Sequence, residues 1–117
     1  MIFKNLFSNL PVAKLAQDHP INYFDIGSRG GFQEDLFPIA FAVNAVGFEP
    51  EPVALEKLKK KKNEPWLTVN FLPFGISGKS GFRNLYITRD PASSSLLKRN
   101  VELGAKFHKP QFFELDR

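Results

Sequence analysis

Apolar and polar residues follow two rhythms along this chain, and the switches between them mark the predicted elements. Phe3, Leu6, Phe7 and Leu10 recur at i, i+3, i+4 and i+7, an amphipathic helical stripe that Pro11 stops. Val12, Leu15 and Ala16 predict a second short helix before the break at Asp18–His19–Pro20. The run Ile21 to Ile26 is short and mostly apolar, as a buried parallel strand should be. Gln33 to Ala42 reads as a helix, with Pro38 either in a late first turn or kinking it. Asn44 to Phe48 is a second strand. Pro50 and Pro52 open the next helix, which carries Ala54, Leu55 and Leu58 on one face and an i,i+4 pair, Glu56 with Lys60. Leu67 to Leu72 is a third strand, residues 77–81 a turn, and Phe82 to Thr88 a fourth strand. Such alternation predicts an α/β protein with a parallel sheet and right-handed crossovers.

Beyond Arg89 the pattern thins. Asp90–Pro91 marks a turn, Ser93 to Ser95 a loop or helix cap, and Leu97 with Val101 a helical turn that Gly104 would close. Apolar residues still arrive at Phe112, Phe113 and Leu115, so the sheet is expected to be incomplete and the chain a piece of a longer one. A single domain covers 1–117: a helical segment over 1–20, strand and helix units over 21–88, and a poorly defined 89–117.

Composition narrows the chemistry. At 117 residues, 43% hydrophobic and with 13 Phe, the chain can bury one core. It has no cysteine and only His19 and His108, which argues against disulfides and against thiolate or histidine-rich metal sites. A net charge of +4 is too mild to imply a nucleic-acid partner. The basic cluster Lys57 and Lys59 to Lys62 closes a helix, where cations suit the dipole, and no aromatic residues interleave it. No apolar run reaches membrane-spanning length, and no signal peptide is visible, so a cytoplasmic location is expected. The N-terminal stripe carries one lysine, Lys4, and is read as packing on the sheet or on a partner subunit rather than on lipid.

The chemistry concentrates at two strand ends. Tyr23-Phe24-Asp25-Ile26-Gly27-Ser28-Arg29-Gly30-Gly31 closes the first strand with a carboxylate and a glycine turn, and Gly47-Phe48-Glu49-Pro50 closes the second with another carboxylate. Turn and second carboxylate stand about 20 residues apart, the length of one strand-helix-strand passage, so both face the crevice beyond the carboxyl edge of the sheet. A glycine turn admits ligand backbone contacts, and Glu49 is placed to hold a ribose diol. Asp25 would repel a pyrophosphate, and the G-x-G-x-x-G of dinucleotide sites is missing, which disfavours a nicotinamide enzyme. An ammonium and sulfonium ligand suits that carboxylate, and S-adenosylmethionine has both cations with a ribose diol. Asp25 has an alternative role as a helix N-cap. Arg29 is either a partner for a ligand carboxylate or an exposed loop residue. No Ser-His-Asp, Cys-His or paired-carboxylate hydrolytic centre is visible.

From Tyr23 to Leu97 the sequence resembles the FkbM-type family of S-adenosylmethionine-dependent methyltransferases. Asp25-Ile26-Gly27-Ser28-Arg29-Gly30-Gly31 is similar to the family's D-x-G-A-N-x-G loop, and Gly47-Phe48-Glu49-Pro50-Glu51-Pro52 to its F-E-P motif. Gly75 to Gly81 resembles A-L-S-D-x-x-G, and Ser94-Ser95-Leu96 an S-S-L that follows. The resemblance implies a Rossmann-like, doubly wound parallel sheet. It implies S-adenosylmethionine bound by Asp25, Gly27, Ser28, Gly31 and Glu49, and a small-molecule or glycan acceptor. Ser28–Arg29 stand where the family has Ala–Asn, so that Asn's bonds do not carry over. Nothing matches the family's later strand, whose acidic residues face the substrate, and no catalytic residue is assigned. The expected activity is methyl transfer to oxygen or nitrogen, or the cofactor-binding part of it. The alternative is a non-catalytic assembly module, with homo-oligomers formed through the Phe-rich N-terminus. Glu49, at a strand end, is expected to contribute little to the core.

Overall fold

The computed structural model describes residues 3–116. They fall into two compact units, one running to Ile76 and one starting at Ser77. The boundary therefore groups residues 77–88 with the C-terminal segment, not with the sheet.

The first unit holds helix α1 (Ala13–Asp18), strand β1 (Ile21–Ile26), a 3₁₀ segment (Glu34–Ala42), strand β2 (Val43–Phe48), helix α2 (Pro52–Lys59) and strand β3 (Thr68–Leu72). The three strands are parallel and lie in the order β1-β2-β3, with Ile21 opposite Val43 and Asn44 opposite Thr68. The first three of the four predicted strands are present within a residue. The predicted helix over 33–42 is wound as 3₁₀, with Pro38 inside it. Proline has no N–H for an i−4 bond and its ring crowds the preceding turn, which explains why a regular α-helix does not form there. The predicted helix over Phe3–Leu10 is a series of turns, and the Phe3, Leu6, Phe7 and Leu10 side chains are exposed. Those turns are tied by Asn5 N–H to Phe37 O (2.7 Å) and Phe7 N–H to Pro38 O (3.1 Å). Backbone bonds to the 3₁₀ segment take the place of an intrahelical ladder.

Burial alternates along the sheet. Val43, Ala45 and Gly47 are buried, and their register partners Tyr23 and Asp25 are half-buried. This face packs an aromatic cluster: Phe32 stacks on Phe71 (centroids 5.0 Å apart), and Tyr23 stacks on Trp66 (5.9 Å). α1 closes the lower core against the 3₁₀ segment through Ala13, Phe41 and Ala42. The opposite face is open. Its amino end carries a polar ladder, Thr68 Oγ1 donating to Asn44 Oδ1 (2.7 Å) and Asn44 Nδ2 to Asn22 Oδ1 (3.2 Å). Its carboxyl end is apolar, and Phe24 and Ile26 are 61% and 66% exposed. β1 was expected to be buried, and on this face it is not.

The second unit contains a 3₁₀ turn (Pro91–Ser93), helix α3 (Val101–Lys106) and a second 3₁₀ turn (Pro110–Phe112). The predicted strand over 82–88 is reduced to two isolated antiparallel bridges, Tyr86 with Ser95 and Thr88 with Leu115. A strand needs a neighbour along its length, and none pairs with it among the described residues. Gly104 does not close a turn. It lies inside α3, where a Cβ would sit 2.6 Å from the Phe113 ring.

Candidate functional site

The glycine turn after β1 is built by backbone bonds to β2. Gly27 and Ser28 N–H both donate to Phe48 O, at 2.9 and 3.1 Å, and Gly31 N–H donates to Ser28 O at 2.8 Å. Gly27 and Gly31 have φ of +82° and +98°, the left-handed region that favours glycine. Three amides of this turn are thus spent inside the protein and do not form a phosphate cradle. Ser28 is 1% exposed, and its Oγ donates to Asp25 O at 2.8 Å. The hydroxyl is thus turned inward, and the residue's backbone N–H and C=O are both engaged within the turn and with β2. Ser28 packs there because Gly47 has no side chain: a Cβ on Gly47 would lie 2.6 Å from Ser28 Oγ and from the Phe71 ring.

Asp25 is opposite Gly47 in the register, and Glu49 lies just past the end of β2, so the two carboxylates share the carboxyl edge of adjacent strands. Strand spacing and rise put their Cα atoms roughly 8 Å apart. Asp25 does not cap the segment that follows, whose N-cap is Gln33. Its neighbour is Tyr23, two residues back on the same face. Burial pushes the Tyr23 phenol above its usual pKa, and the Asp25 charge adds to this by repelling phenolate and accepting the phenol's hydrogen bond.

Glu49 N–H donates to Leu72 O (3.0 Å), which fixes the residue at the sheet edge. Its Oε1 accepts the Glu51 N–H at 2.9 Å, and no described residue donates to Oε2. Glu49 is only 4% exposed. The bond to Glu51 also corrects the expectation that Glu49 contributes little to the fold: its loss would strand a buried amide.

Glu51 is a residue that sequence reasoning left without a role. It is 2% exposed and is the N-cap of α2, accepting from Val53 N–H (3.1 Å) and Ala54 N–H (2.8 Å). Arg29 Nη2 reaches the same carboxylate at 3.4 Å. Arg29 is thus not a free loop side chain, since one of its N–H groups is engaged by Glu51. It ties the glycine turn to the start of α2. The legible signal for Glu51 was an acidic residue directly before a proline at the first helical position.

Beside the turn lies a cavity of about 170 Å³ lined by Gly30, Gly31, Phe32, Lys61, Trp66 and Phe71. Lys61 Nζ donates to Gly30 O at 2.9 Å across its mouth. Neither Asp25 nor Glu49 lines it. Chemically, the carboxyl edge offers two carboxylates, one of them accepting from the Tyr23 phenol. Among the described residues no group of three His, Cys, Asp or Glu could hold a metal, and no helix is long and apolar enough to cross a membrane. Comparisons with protein-family models, with curated proteins and with solved structures find no match to this chain.

Proposed function

We propose that the chain is the cofactor-binding part of an S-adenosylmethionine-dependent methyltransferase acting on an oxygen or nitrogen acceptor. The observation that carries the reading is the pair Asp25 and Glu49 at one carboxyl edge of neighbouring parallel strands. Ligands of open α/β sheets bind beyond that edge. When bound, S-adenosylmethionine would supply an electrophilic methyl carbon, to which an acceptor lone pair bonds in line as the C–S bond breaks and its electron pair leaves on the neutral thioether sulfur of S-adenosylhomocysteine. Glu49 Oε2, without a described donor, is the acceptor for the ribose hydroxyls. Asp25 gives the cationic end of the ligand a counter-charge, and the turn at Gly27 and Gly31 keeps side chains out of the backbone's approach. Ser28 supports that turn from below. The residues hold and orient; in-line transfer depends mainly on such positioning. The second reading, a non-catalytic assembly module, draws support from the open apolar sheet face and from the commitment of Arg29 to Glu51.

Titration calorimetry with S-adenosylmethionine and S-adenosylhomocysteine on wild type and Glu49→Gln separates the two. The amide keeps an acceptor for the Glu51 N–H, so the fold is retained, while the charge is lost. Binding should weaken about tenfold, since hydrogen bonds to an ionised acceptor are stronger than neutral ones. Equal affinity removes Glu49 from the site. A folded wild type that binds neither ligand leaves the assembly module standing.

A further inference from the structure

In the second unit, Tyr86, Ser95, Lys98, Arg99, Phe112 and Phe113 are among the residues lining a cavity of about 270 Å³, and no carboxylate lines it. Arg99 Nε is buried without a hydrogen-bond partner, and no described carboxylate pairs with this guanidinium or with Lys98. Of the acids in this unit, Glu114 pairs with Arg89, and Asp90 accepts from the Ala92 N–H. Buried donors in native proteins are almost always satisfied, and an orphaned one points to a missing acceptor. A guanidinium N–H is the more telling case, because it can never shed its proton to escape the penalty. Ser95 Oγ accepts from Leu97 N–H at 3.0 Å, which leaves its own proton to donate.

We propose that this cavity is a binding site for a small organic anion, a carboxylate or phosphate monoester carrying a flat apolar body. The anionic head would accept from the Arg99 Nε–H and the Ser95 hydroxyl, with Lys98 adding charge at the rim. The body would lie against Phe112, Phe113 and the Tyr86 ring. The volume suits a single ring and is near the lower limit for ligand pockets. The site is independent of the cofactor reading, because every residue in it belongs to the second unit.

The test is a ¹H–¹⁵N NMR titration of the full chain with phenyl phosphate, with benzoate and with neutral benzyl alcohol. One or both anions should shift the Arg99 Nε–H and the Ser95 and Arg99 amides saturably, and the tighter of the two identifies the head group. Arg99→Gln should weaken that binding by at least about tenfold, the loss of a charge-assisted bond. Should that variant fail to fold, Lys98→Gln, on an exposed side chain, carries the comparison and should weaken binding several-fold. Benzyl alcohol binding as tightly as the anions, no saturable shift with either anion, or unchanged affinity in the folded variant overturns the proposal.

Discussion

Glu49 and Glu51 are two positions apart, and the structure gives them opposite employments. One keeps an oxygen without a described donor at the sheet edge; the other spends both oxygens on the α2 amides and on Arg29. Position relative to the helix start makes the difference, because only the residue directly before Pro52 can fold back onto the first-turn N–H groups. Tyr23 is a third residue whose role comes from its neighbour. Its raised pKa means that the folded state favours the neutral phenol. The resulting stabilisation is fully present below the unfolded value near pH 10 and is lost as pH rises past it toward the folded value. Urea unfolding of wild type and Tyr23→Phe from pH 8 upward should therefore converge at high pH, with the wild type losing more stability. A constant difference across the titration would show that Asp25 and burial do not act on the phenol as described. None of this was visible from the motif alone, since a Tyr two places before an Asp signals only a shared strand face.

The elements that were legible are those whose signals are local. β1 and β2 are short apolar runs bounded by a proline, a glycine turn and an acidic end, and both appear within a residue of expectation. α2 has proline at its first position and lysines in its last turn, and it too forms where expected. The predicted Glu56 to Lys60 pair gives way to Glu56 with Lys59 at 3.9 Å, a change of one residue on an exposed face. Two predicted elements, the strand over 82–88 and the helix over 3–10, do not form, because their outcome depends on partners distant in sequence. Residues 82–88 have strand composition but no ladder to join, and residues 3–10 have a helical stripe but bond to the 3₁₀ segment instead. Glu51 is obscured for the opposite reason: the same six residues, Gly47 to Pro52, satisfy both a cofactor motif and a helix cap. Its capping role predicts that Glu51→Ala destabilises the chain by about 1–2 kcal/mol, the usual cost of a lost N-cap. Glu51→Asp, which retains a capping carboxylate, should recover much of that in thermal or urea unfolding. No loss in Glu51→Ala would mean that Arg29 and the two amides find water as readily as the carboxylate.

A parallel sheet is normally covered on both faces, since each crossover lays a helix on one of them. Here the segments following β1 and β2 serve one face only, and the other presents Phe24 and Ile26 at the carboxyl end beside half-buried Val46, Phe48 and Leu72. β1 also has one partner, β2, among the described residues, so its outer edge offers unpaired backbone groups. Exposed apolar surface joined to an open strand edge is the combination that soluble proteins ordinarily avoid, and it drives strand-to-strand or face-to-face association. The polar ladder of Asn22, Asn44 and Thr68 limits that tendency to the carboxyl half of the face, which locates the contact. Sedimentation velocity over a range of concentrations should therefore show self-association of the wild-type chain. Phe24→Lys should suppress it, because a charge on the apolar half of an edge strand is costly to bury and repels a second copy. The substitution lies on the face opposite Tyr23 and Asp25, so the aromatic core and the carboxylate edge should survive, and an unchanged far-ultraviolet spectrum would verify that. A wild type that stays monomeric at high concentration would mean that this face is protected, and the assembly-module reading would lose its main support.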